Sequence, residues 1–586
     1  MTPIHYTVEA ADLHAHLFRV TLTVAEPLPL QTVSLPVWIP GSYLVREFSK
    51  NLQQLQAKQG RRSASIIQRD KCTWDIACKE GQPLVLSYEV YAFDNSVRTA
   101  WLDSQRGFFN GTSLCLRVHG QEEQAHRLQL QAVKNQADWQ AATGLAPVKT
   151  DKRGFGLYQA DNYDELADCP VEMGAFWRGS FTACGIPHHF VVSGALPSFD
   201  GARLLADTKK ICEAAIRFWH GQGKQAGNKA PHQNYLFMLN AVHDGYGGLE
   251  HRNSTALICN RVDLPRQTSP RTNDGYTTLL GLISHEYFHT WNVKQLRPDA
   301  FARYNYTQEN YTTLLWFFEG FTSYFDDILL RHAGLIDNAT YIKLLGKTIT
   351  QVQQTPGRHV QTVAQASFDA WVKYYRQDEN TPNATVSYYT KGALVALCLD
   401  LSLRQEGHTL QAVMRGLWKR CKAGPMREQD LLAELQTVSG RSWQKEIQAW
   451  VHSTEDLPLR DLLTSQGIEV HAEIASMAQR LGLRVSETSG SVHIKAVLRS
   501  SAAEAAGLAA GDEWLGMEVG AKAQGGSWRL GKLDELPALM GREHKGVALV
   551  SRDKRMLRLP LTIPAQASHW RLAVPADCKA GQWPAV

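Results

Sequence analysis

The spacing of hydrophobic and polar positions changes along the chain, and each change marks a predicted region. Residues 1 to about 170 carry short alternating runs such as HLFRVTLTV and PLVLSYEVYAF, interrupted by Gly, Pro, Asn and Asp. Alternation with a period of two is typical of half-buried antiparallel strands and hairpins. The pattern therefore predicts an N-terminal β-sandwich-like domain over residues 1–170.

A helical period begins at about residue 200. In SFDGARLLADTKKICEAAIRFWHG, the side chains of Leu204, Ile211, Ala215 and Phe218 fall near one face of a helix. Two strand patterns, YLFMLN and STALICN, follow with a glycine-rich turn between them. Residues 171–265 are therefore expected to form a mixed β/α region that carries the segment GGLEH.

Most of the next 190 or so residues read as helices, and strands return after them. TTLLGLISHEYFHTW, TTLLWFFEGFTSYFDDILLRH and KGALVALCLDLSLRQ are the clearest helical runs, within a region that we place at 266–460. Short strands around SSAAEAAGLAAGDEWLGM indicate a last domain over 470–570. The fold class expected from the whole pattern is multidomain α+β.

Length and charge restrict the classes of protein. A chain of 586 residues exceeds what one hydrophobic core usually organises. The net charge is only +5 and the basic residues are scattered, so nucleic acid is not the expected partner. No polybasic segment and no apolar run of about 18 residues suggests a membrane.

The N-terminal sequence and the cysteines indicate a cytoplasmic location. MTPIHYTVEAADLHAHLF lacks the basic start and apolar core of a signal peptide. The ten cysteines are spread singly and form no CxxC pair, which favours reduced thiols.

The segment HEYFH, from His285 to His289, is an HExxH motif. Residues four apart on a helix lie one above the other, so both imidazoles can reach one metal ion. Glu286 projects beside them, where it can contact a metal-bound water. A catalytic zinc site needs three protein ligands, so a third ligand is expected from elsewhere in the chain.

Glu319 is a candidate for the third ligand. It lies in the apolar run WFFEGFTSYF, where an unpaired carboxylate would be costly to bury and so calls for a cation. A solvated or salt-bridged glutamate is the alternative that the spacing leaves open.

Two further segments can contribute to a site. In GYGGLEH, Gly247 and Gly248 would let the backbone approach a substrate, and Glu250 could bind an α-ammonium group. A plain hairpin with a surface glutamate is the alternative. Tyr388 and Tyr389, before a predicted helix, could supply a phenol to an oxyanion, or could simply pack at the helix start.

Four segments, in chain order, resemble the glycyl aminopeptidase family of zinc peptidases: GGLEHRNST, HEYFHTWNVKQLRP, WFFEGFTSYF and SYYTKGALVA. That family is a relative of the aminopeptidase N and leukotriene hydrolase group. VWIPGSYLVREF in the N-terminal region is also typical of it. The resemblance covers nearly the whole chain and implies a thermolysin-like catalytic domain behind the N-terminal β domain.

Carried over to this sequence, the resemblance assigns the metal and the base. It makes His285, His289 and Glu319 the ligands of one zinc ion per chain. It makes Glu286 the general base that acts on the attacking water.

The resemblance also assigns the contacts to the substrate. Glu250 would anchor the free N-terminus, beside Gly247 and Gly248, and Tyr389 of the Tyr-x-Lys-Gly pattern would stabilise the oxyanion. His251 departs from the aminopeptidase N pattern, where asparagine usually follows the glutamate.

The C-terminal region resembles a PDZ domain. Arg480-Leu481-Gly482-Leu483 looks like its carboxylate-binding loop, and VLRSSAAEAAGLAAGDEWLGM looks like its turn, short helix and strand. Such a domain would bind a peptide C-terminus by adding it to a sheet edge. A structural lid or a docking module that binds no peptide is the alternative.

These observations predict a zinc aminopeptidase that acts on peptides with a free N-terminus, and the family resemblance implies that it removes small residues, glycine or alanine. Two alternatives remain. One is a zinc endopeptidase with the same ligands, and the other is a PDZ peptide-binding protein with a vestigial metal site.

Overall fold

The computed structural model describes residues 4–223, 226–269, 272–520, 526–565, 568–574 and 583. They form two compact units, each assembled from separate parts of the chain. The first unit comprises residues 1–311, 325–335 and 414–430, and the second comprises 312–324, 336–413 and 431–586. None of the described helices has the length and hydropathy that crossing a membrane requires.

The N-terminal region is rich in β-strands, as the alternating pattern predicts. In the strand Leu17–Val24 every second side chain is buried, beginning with Phe18. An eight-stranded sheet contains, in spatial order, Ala146–Thr150, Gly156–Ala160, His126–Leu130, Ile4–Asp12, Leu17–Val24, Leu84–Tyr91, Leu52–Gln59 and Arg62–Ser63. Two four-stranded sheets contain Gln140–Thr143, Val171–Gly174, Arg106–Phe109 and Ala100–Leu102, and Arg117–Val118, Leu30–Ser34, Thr73–Ala77 and Ile66–Gln68.

A five-stranded sheet follows in the same unit, in the order Trp177–Ala183, Ile186–Ser193, Tyr235–Val242, Ser254–Asn260 and Gly247–Glu250. Its three middle strands are parallel, and Tyr235–Val242 is buried almost throughout, as central parallel strands usually are. Residues 247–250, which the sequence predicts as part of a turn, form an antiparallel edge strand on Ser254–Asn260. The backbone pairing of the neighbouring strand, not β-propensity, makes this glycine-rich segment a strand.

Helices carry most of the chain between residues 274 and 465. The predicted helix after residue 200 spans Gly201–His220, and its four predicted core residues are buried. We name three helices by their site residues: the HEYFH helix Asp274–Phe288, the Glu319 helix Leu315–His332 and the Tyr389 helix Thr390–Gln405. The others are Gly111–Leu114, Tyr163–Ala167, Asn338–Gln353, Val363–Phe368, Thr381–Ala384, Leu410–Arg420, Glu428–Ser439, Gln444–Val451, Leu459–Ser465, Met477–Leu481, Ala502–Ala505 and Leu536–Met540. A two-stranded sheet pairs Arg297–Pro298 with Pro425–Met426.

The C-terminal region returns to strands, as predicted. A six-stranded sheet contains Leu483–Thr488, Ser491–Val497, Glu513–Val519, Lys545–Arg552 and Arg555–Thr562, with Gly526–Arg529 paired to Glu513–Val519. A second sheet pairs Glu469–Ile474 with Ser568–Ala573. The multidomain α+β class, with a β-rich N-terminal region and a helical part after it, is confirmed.

The segment Arg480–Leu483, which in sequence resembles a carboxylate-binding loop, is partly helical in the structure. Arg480 and Leu481 end the helix Met477–Leu481, and the amide of Gly482 donates to the carbonyl oxygen of Gln479 at 3.2 Å. The amide of Arg480 donates to the carbonyl oxygen of Ser476 at 2.9 Å. A capping box between Ser476 and Gln479 starts this helix, and the backbone carbonyl oxygens of the same two residues accept from the amides of Arg480 and Gly482.

Candidate active site

The HEYFH helix is anchored at its start and buried along its length. The side chain of Asn273 accepts a hydrogen bond from the amide of Tyr276 at 2.7 Å, which caps the first turn. The helical turns before the motif are packed into the core by the buried side chains of Leu279, Leu280, Leu282 and Ile283. The helix ends at Phe288, and His289 follows as the cap residue with helical dihedrals, so it stays in line with His285.

Each of the two histidines uses its Nδ1 atom in a hydrogen bond to an oxygen. Nδ1 of His285 lies 3.0 Å from Oδ2 of Asp326, and Nδ1 of His289 lies 2.7 Å from the carbonyl oxygen of Asn292. Because an oxygen acceptor holds the proton on Nδ1, the lone pair of each ring is on Nε2. The two Nε2 atoms lie 3.0 Å apart, an approach of two lone pairs that a shared cation would stabilise.

Glu319 supplies a carboxylate to the same point. Ligand atoms of His285, His289 and Glu319 all lie within 4.8 Å of one another, so the three side chains can hold one metal ion. Glu319 is buried, and two turns further along its helix lies Asp326, the partner of His285. The fit to a metal thus rests on three neighbouring donors and on the orientation of both rings.

Glu286 is buried beside the strand Gly247–Glu250. A β-carbon at Gly248 would overlap the Glu286 carboxylate, so only glycine allows this approach. Arg98 donates from Nη2 to the carbonyl oxygen of Gly248 at 3.1 Å and holds the strand from the other side. The sequence assigned Gly248 to the substrate; in the structure its backbone lies against the candidate base. Gly247 has a φ of +156°, which L residues rarely adopt.

Glu250 is buried at the end of the same strand. Its Oε1 atom has no hydrogen-bond partner among the described residues. Gly41, with a φ of +91°, lies so close that a β-carbon there would be 2.6 Å from Oε1. Gly41 belongs to the segment VWIPGSY, which was noted in the sequence without a role for this glycine.

Asp168 joins the Glu250 strand to the loop after the HEYFH helix. Its Oδ1 atom accepts from Nζ of Lys294 at 2.7 Å and lies 3.1 Å from Nδ1 of His251, while Oδ2 accepts from the amide of Arg252 at 3.2 Å. The amide of Lys294 in turn donates to the carbonyl oxygen of His289 at 3.1 Å. His251, the departure noted in the sequence, thus bonds to a carboxylate of the N-terminal region.

The charges around Asp168 keep it ionised. Burial would raise the pKa of this carboxyl group, but Lys294, His251 and Arg252 together hold the pKa well below its ordinary value. Burial lowers the pKa of His251 although Asp168 opposes the shift. No signal in the sequence indicated Asp168, because its partners lie 83 or more positions away.

Tyr389 precedes its helix directly and stacks on Tyr388, with ring centroids 4.7 Å apart. Burial, followed by the negative charge of Glu319, raises the pKa of Tyr389 well above its ordinary value. Its phenol is protonated near neutral pH, as that of any tyrosine is, and the raised pKa extends this state to more alkaline solution, so it is able to donate a hydrogen bond.

Two glycines allow the Glu319 and Tyr389 helices to touch. A β-carbon at Gly320 would lie 2.5 Å from the backbone of Gly392, and one at Gly392 would lie 2.5 Å from the carbonyl oxygen of Trp316. Both glycines are visible in the sequence, one next to Glu319 and one three residues after Tyr389. They indicate close helix packing only once the two helices are known to be in contact.

Known peptidases are similar to this chain in sequence and in fold. The N-terminal domain model of the M61 peptidases matches residues 5–175, and the M61 glycyl aminopeptidase model matches residues 278–395. The solved structure of an aminopeptidase N family protein from Idiomarina loihiensis is 37% identical, with a TM-score of 0.91. That match covers 97% of this chain and 98% of the other.

The fold, the candidate metal cluster and the matches to known peptidases together identify the protein as a metallopeptidase. More particularly, the chain belongs to the M61 glycyl aminopeptidase family.

A more distant likeness is the M1 zinc metallopeptidase from Deinococcus radiodurans, at 16% identity and a TM-score of 0.48. That likeness covers 78% of this chain and 94% of the other chain. No curated protein sequence matches the chain significantly.

Proposed function

We propose that this chain is a zinc-dependent aminopeptidase that removes small residues, glycine or alanine, from peptides with a free N-terminus. The observation that carries the proposal is the cluster of His285, His289 and Glu319, whose ligand atoms lie within 4.8 Å of one another. Two nitrogens and one carboxylate are the ligand set of a catalytic zinc site with an open position. A zinc ion in this cluster would supply an activated water and polarise the scissile carbonyl group.

The residues of the chain divide the remaining work. Glu286 takes the proton of the attacking water and delivers it to the leaving amine. Tyr389, whose phenol carries its proton at neutral pH, donates a hydrogen bond to the oxyanion. The thermolysin-like character of residues 171–460 is part of the same proposal.

Glu250 makes the proposed enzyme an aminopeptidase. Oε1 of this buried carboxylate has no partner among the described residues, and an α-ammonium group would supply both charge and hydrogen bonds. Gly41 lies against the same carboxylate, so little space is left on that side. If Glu250 were structural, the same metal ligands would serve an endopeptidase.

The test uses purified protein and glycyl- and alanyl-arylamides. Activity should disappear with a chelator and return with zinc, and these two substrates should be cleaved faster than leucyl or arginyl arylamides. Acetylating the N-terminus of a peptide substrate should block its cleavage. Cleavage of acetylated peptides would instead establish the endopeptidase, and the opposite order of arylamides would refute the small-residue preference.

A PDZ-like character of residues 470–570 also remains a proposal. Leu483–Thr488 is an edge strand of the six-stranded sheet, where an added peptide strand could pair. Because the amides of Arg480 and Gly482 donate to the carbonyl oxygens of Ser476 and Gln479, they do not support capture of a peptide carboxylate there. A structural or docking role of residues 470–570 is therefore the alternative to peptide binding.

A cytoplasmic location belongs to the proposal too. The nine described cysteines are free thiols, which agrees with a reducing compartment.

A further inference from the structure

Lys391, on the first turn of the Tyr389 helix, is a buried lysine that the proposed chemistry does not use. The residue as a whole is only 2% exposed, and it lines a pocket of about 310 Å³. Its ammonium group forms no hydrogen bond and no ion pair with any residue that the structure describes. Burial lowers the pKa of Lys391, which reflects the cost of an unpaired charge at this point.

Asp456, the carboxylate whose charge acts on Lys391, already pairs with another cation. Oδ1 of Asp456 accepts from Nε of Arg358 at 2.8 Å, and the Asp456 side chain is 63% exposed while that of Arg358 is 18% exposed. The pocket is also lined by Arg460 and Asp461. The pocket is thus lined by three cationic side chains and two carboxylates, which leaves one positive charge without a counter-charge. Lys391 is the most buried of the three cations.

Apart from Gln353, the rest of the pocket wall is apolar. Val352, Leu394, Leu457, Pro458 and the ring of Trp570 line it. A pocket with one uncompensated cation and apolar walls is complementary to a ligand with one anionic group on a hydrocarbon body.

A second cavity of about 990 Å³ shares Gln353, Arg358 and Trp570 with this pocket. Seven lysines and arginines line this larger cavity against a single carboxylate, that of Glu473. A cleft lined by one sign of charge raises the local concentration of the opposite ion. The larger cavity therefore favours the approach of anions to the smaller pocket.

We propose that the pocket at Lys391 binds a small carboxylate with an apolar side chain, either a free acid or the last residue of a peptide. The carboxylate would pair with Lys391 and Arg358, and the apolar group would pack against Leu394 and Trp570. This site is additional to the proposed peptidase centre and does not depend on it.

The test is calorimetric titration of the full-length protein with N-acetyl-L-leucine and, in parallel, with N-acetyl-L-leucinamide. The acetyl group removes the α-ammonium that Glu250 would bind, and the amide lacks only the charge. The acid should bind, and the amide should bind at least tenfold more weakly. Equal binding of both, or no binding of the acid at millimolar concentrations, would overturn the proposal.

Two variants and a control locate the binding. Lys391→Met should weaken binding of the acid at least tenfold without lowering the melting temperature, because the apolar chain fills the same space without a charge. Lys445→Met removes an exposed lysine outside the pocket and should leave the affinity unchanged. Unchanged affinity in Lys391→Met would show that the acid binds elsewhere, for example at the peptidase centre.

Asp456→Asn tests the same charge balance in the opposite direction. Removing this carboxylate frees Arg358, so the acid should bind severalfold more tightly, and weaker binding would contradict the proposal. An acetylated peptide ending in leucine distinguishes the two sources of ligand. Binding comparable to that of the acid would identify a peptide C-terminus, and markedly weaker binding would identify a free acid.

Discussion

Gly41 lies against the carboxylate of Glu250, close enough that a β-carbon on Gly41 would be 2.6 Å from Oε1. The two residues are 209 positions apart, so the sequence alone does not indicate that they are in contact. The N-terminal region thus closes one side of the pocket that is proposed to hold the substrate amine.

Gly41→Ala should reduce kcat/KM on glycyl-arylamide at least tenfold. The methyl group would displace the Glu250 carboxylate, and the φ of +91° would add about 1–2 kcal/mol of strain. Gly60→Ala is a matched control, since Gly60 also has a positive φ, +57°, but nothing lies within 4 Å of its β-carbon position. Gly60→Ala should lose some stability and keep its activity. Equal losses of activity in the two variants would show that backbone strain alone, and not displacement of Glu250, lowers the activity.

Glu286→Gln should retain the metal and lose about 10²–10⁴-fold in kcat, since an amide cannot accept the proton of the attacking water. Metal content by elemental analysis and turnover of alanyl-arylamide measure the two effects separately. Full activity in the variant would remove Glu286 as the base, and loss of metal would make it a ligand or a structural group.

Asp326→Asn should weaken metal binding about 10–100-fold, because Oδ2 of Asp326 orients the ring of His285 from 3.0 Å. Activity should recover when zinc is added in excess, and titration with a chelator gives the change in affinity. Wild-type affinity in the variant would mean that the helix positions His285 without this hydrogen bond.

Buried His126 should make the protein less stable in mild acid. Burial lowers the pKa of His126 from 6.5 to about 4. Below pH 6.5 the unfolded chain therefore binds a proton that the folded chain does not, and the free energy of unfolding falls by about 1.4 kcal/mol per pH unit down to pH 4.

Unfolding in urea at pH 7 and at pH 5 checks this expectation. His126→Phe should reduce the difference between the two pH values, whereas His14→Gln, at an exposed position, should leave it unchanged. An unchanged difference in His126→Phe would assign the acid sensitivity to the other buried histidines, such as His188 and His232.

Local patterns in the sequence predicted much of this fold. Alternation identified the strands Leu17–Val24 and Leu84–Tyr91, and helical spacing identified Gly201–His220. The HExxH motif and the acidic residue in an apolar helix identified the three residues of the candidate metal cluster. Each of these signals lies within a single element, so no knowledge of the tertiary contacts was required.

The parts that were missed depend on distant contacts. Asp326, Asp168 and Gly41 act on residues 41 to 209 positions away, and nothing in their own segments indicates these contacts. Residues 247–250 were expected in a turn because glycine rarely favours a strand, but pairing with Ser254–Asn260 determines their conformation.

The bonds of Asp168 mean that the N-terminal domain is not an exchangeable module. This residue lies within the segment matched by the N-terminal domain model, yet its carboxylate binds Lys294, five residues beyond His289. A chimera that takes its N-terminal half from a relative would inherit a working centre only if both halves brought compatible partners at positions 168, 251 and 294. A substitution at Asp168 in one half is therefore expected to require a compensating change at His251 or Lys294 in the other half.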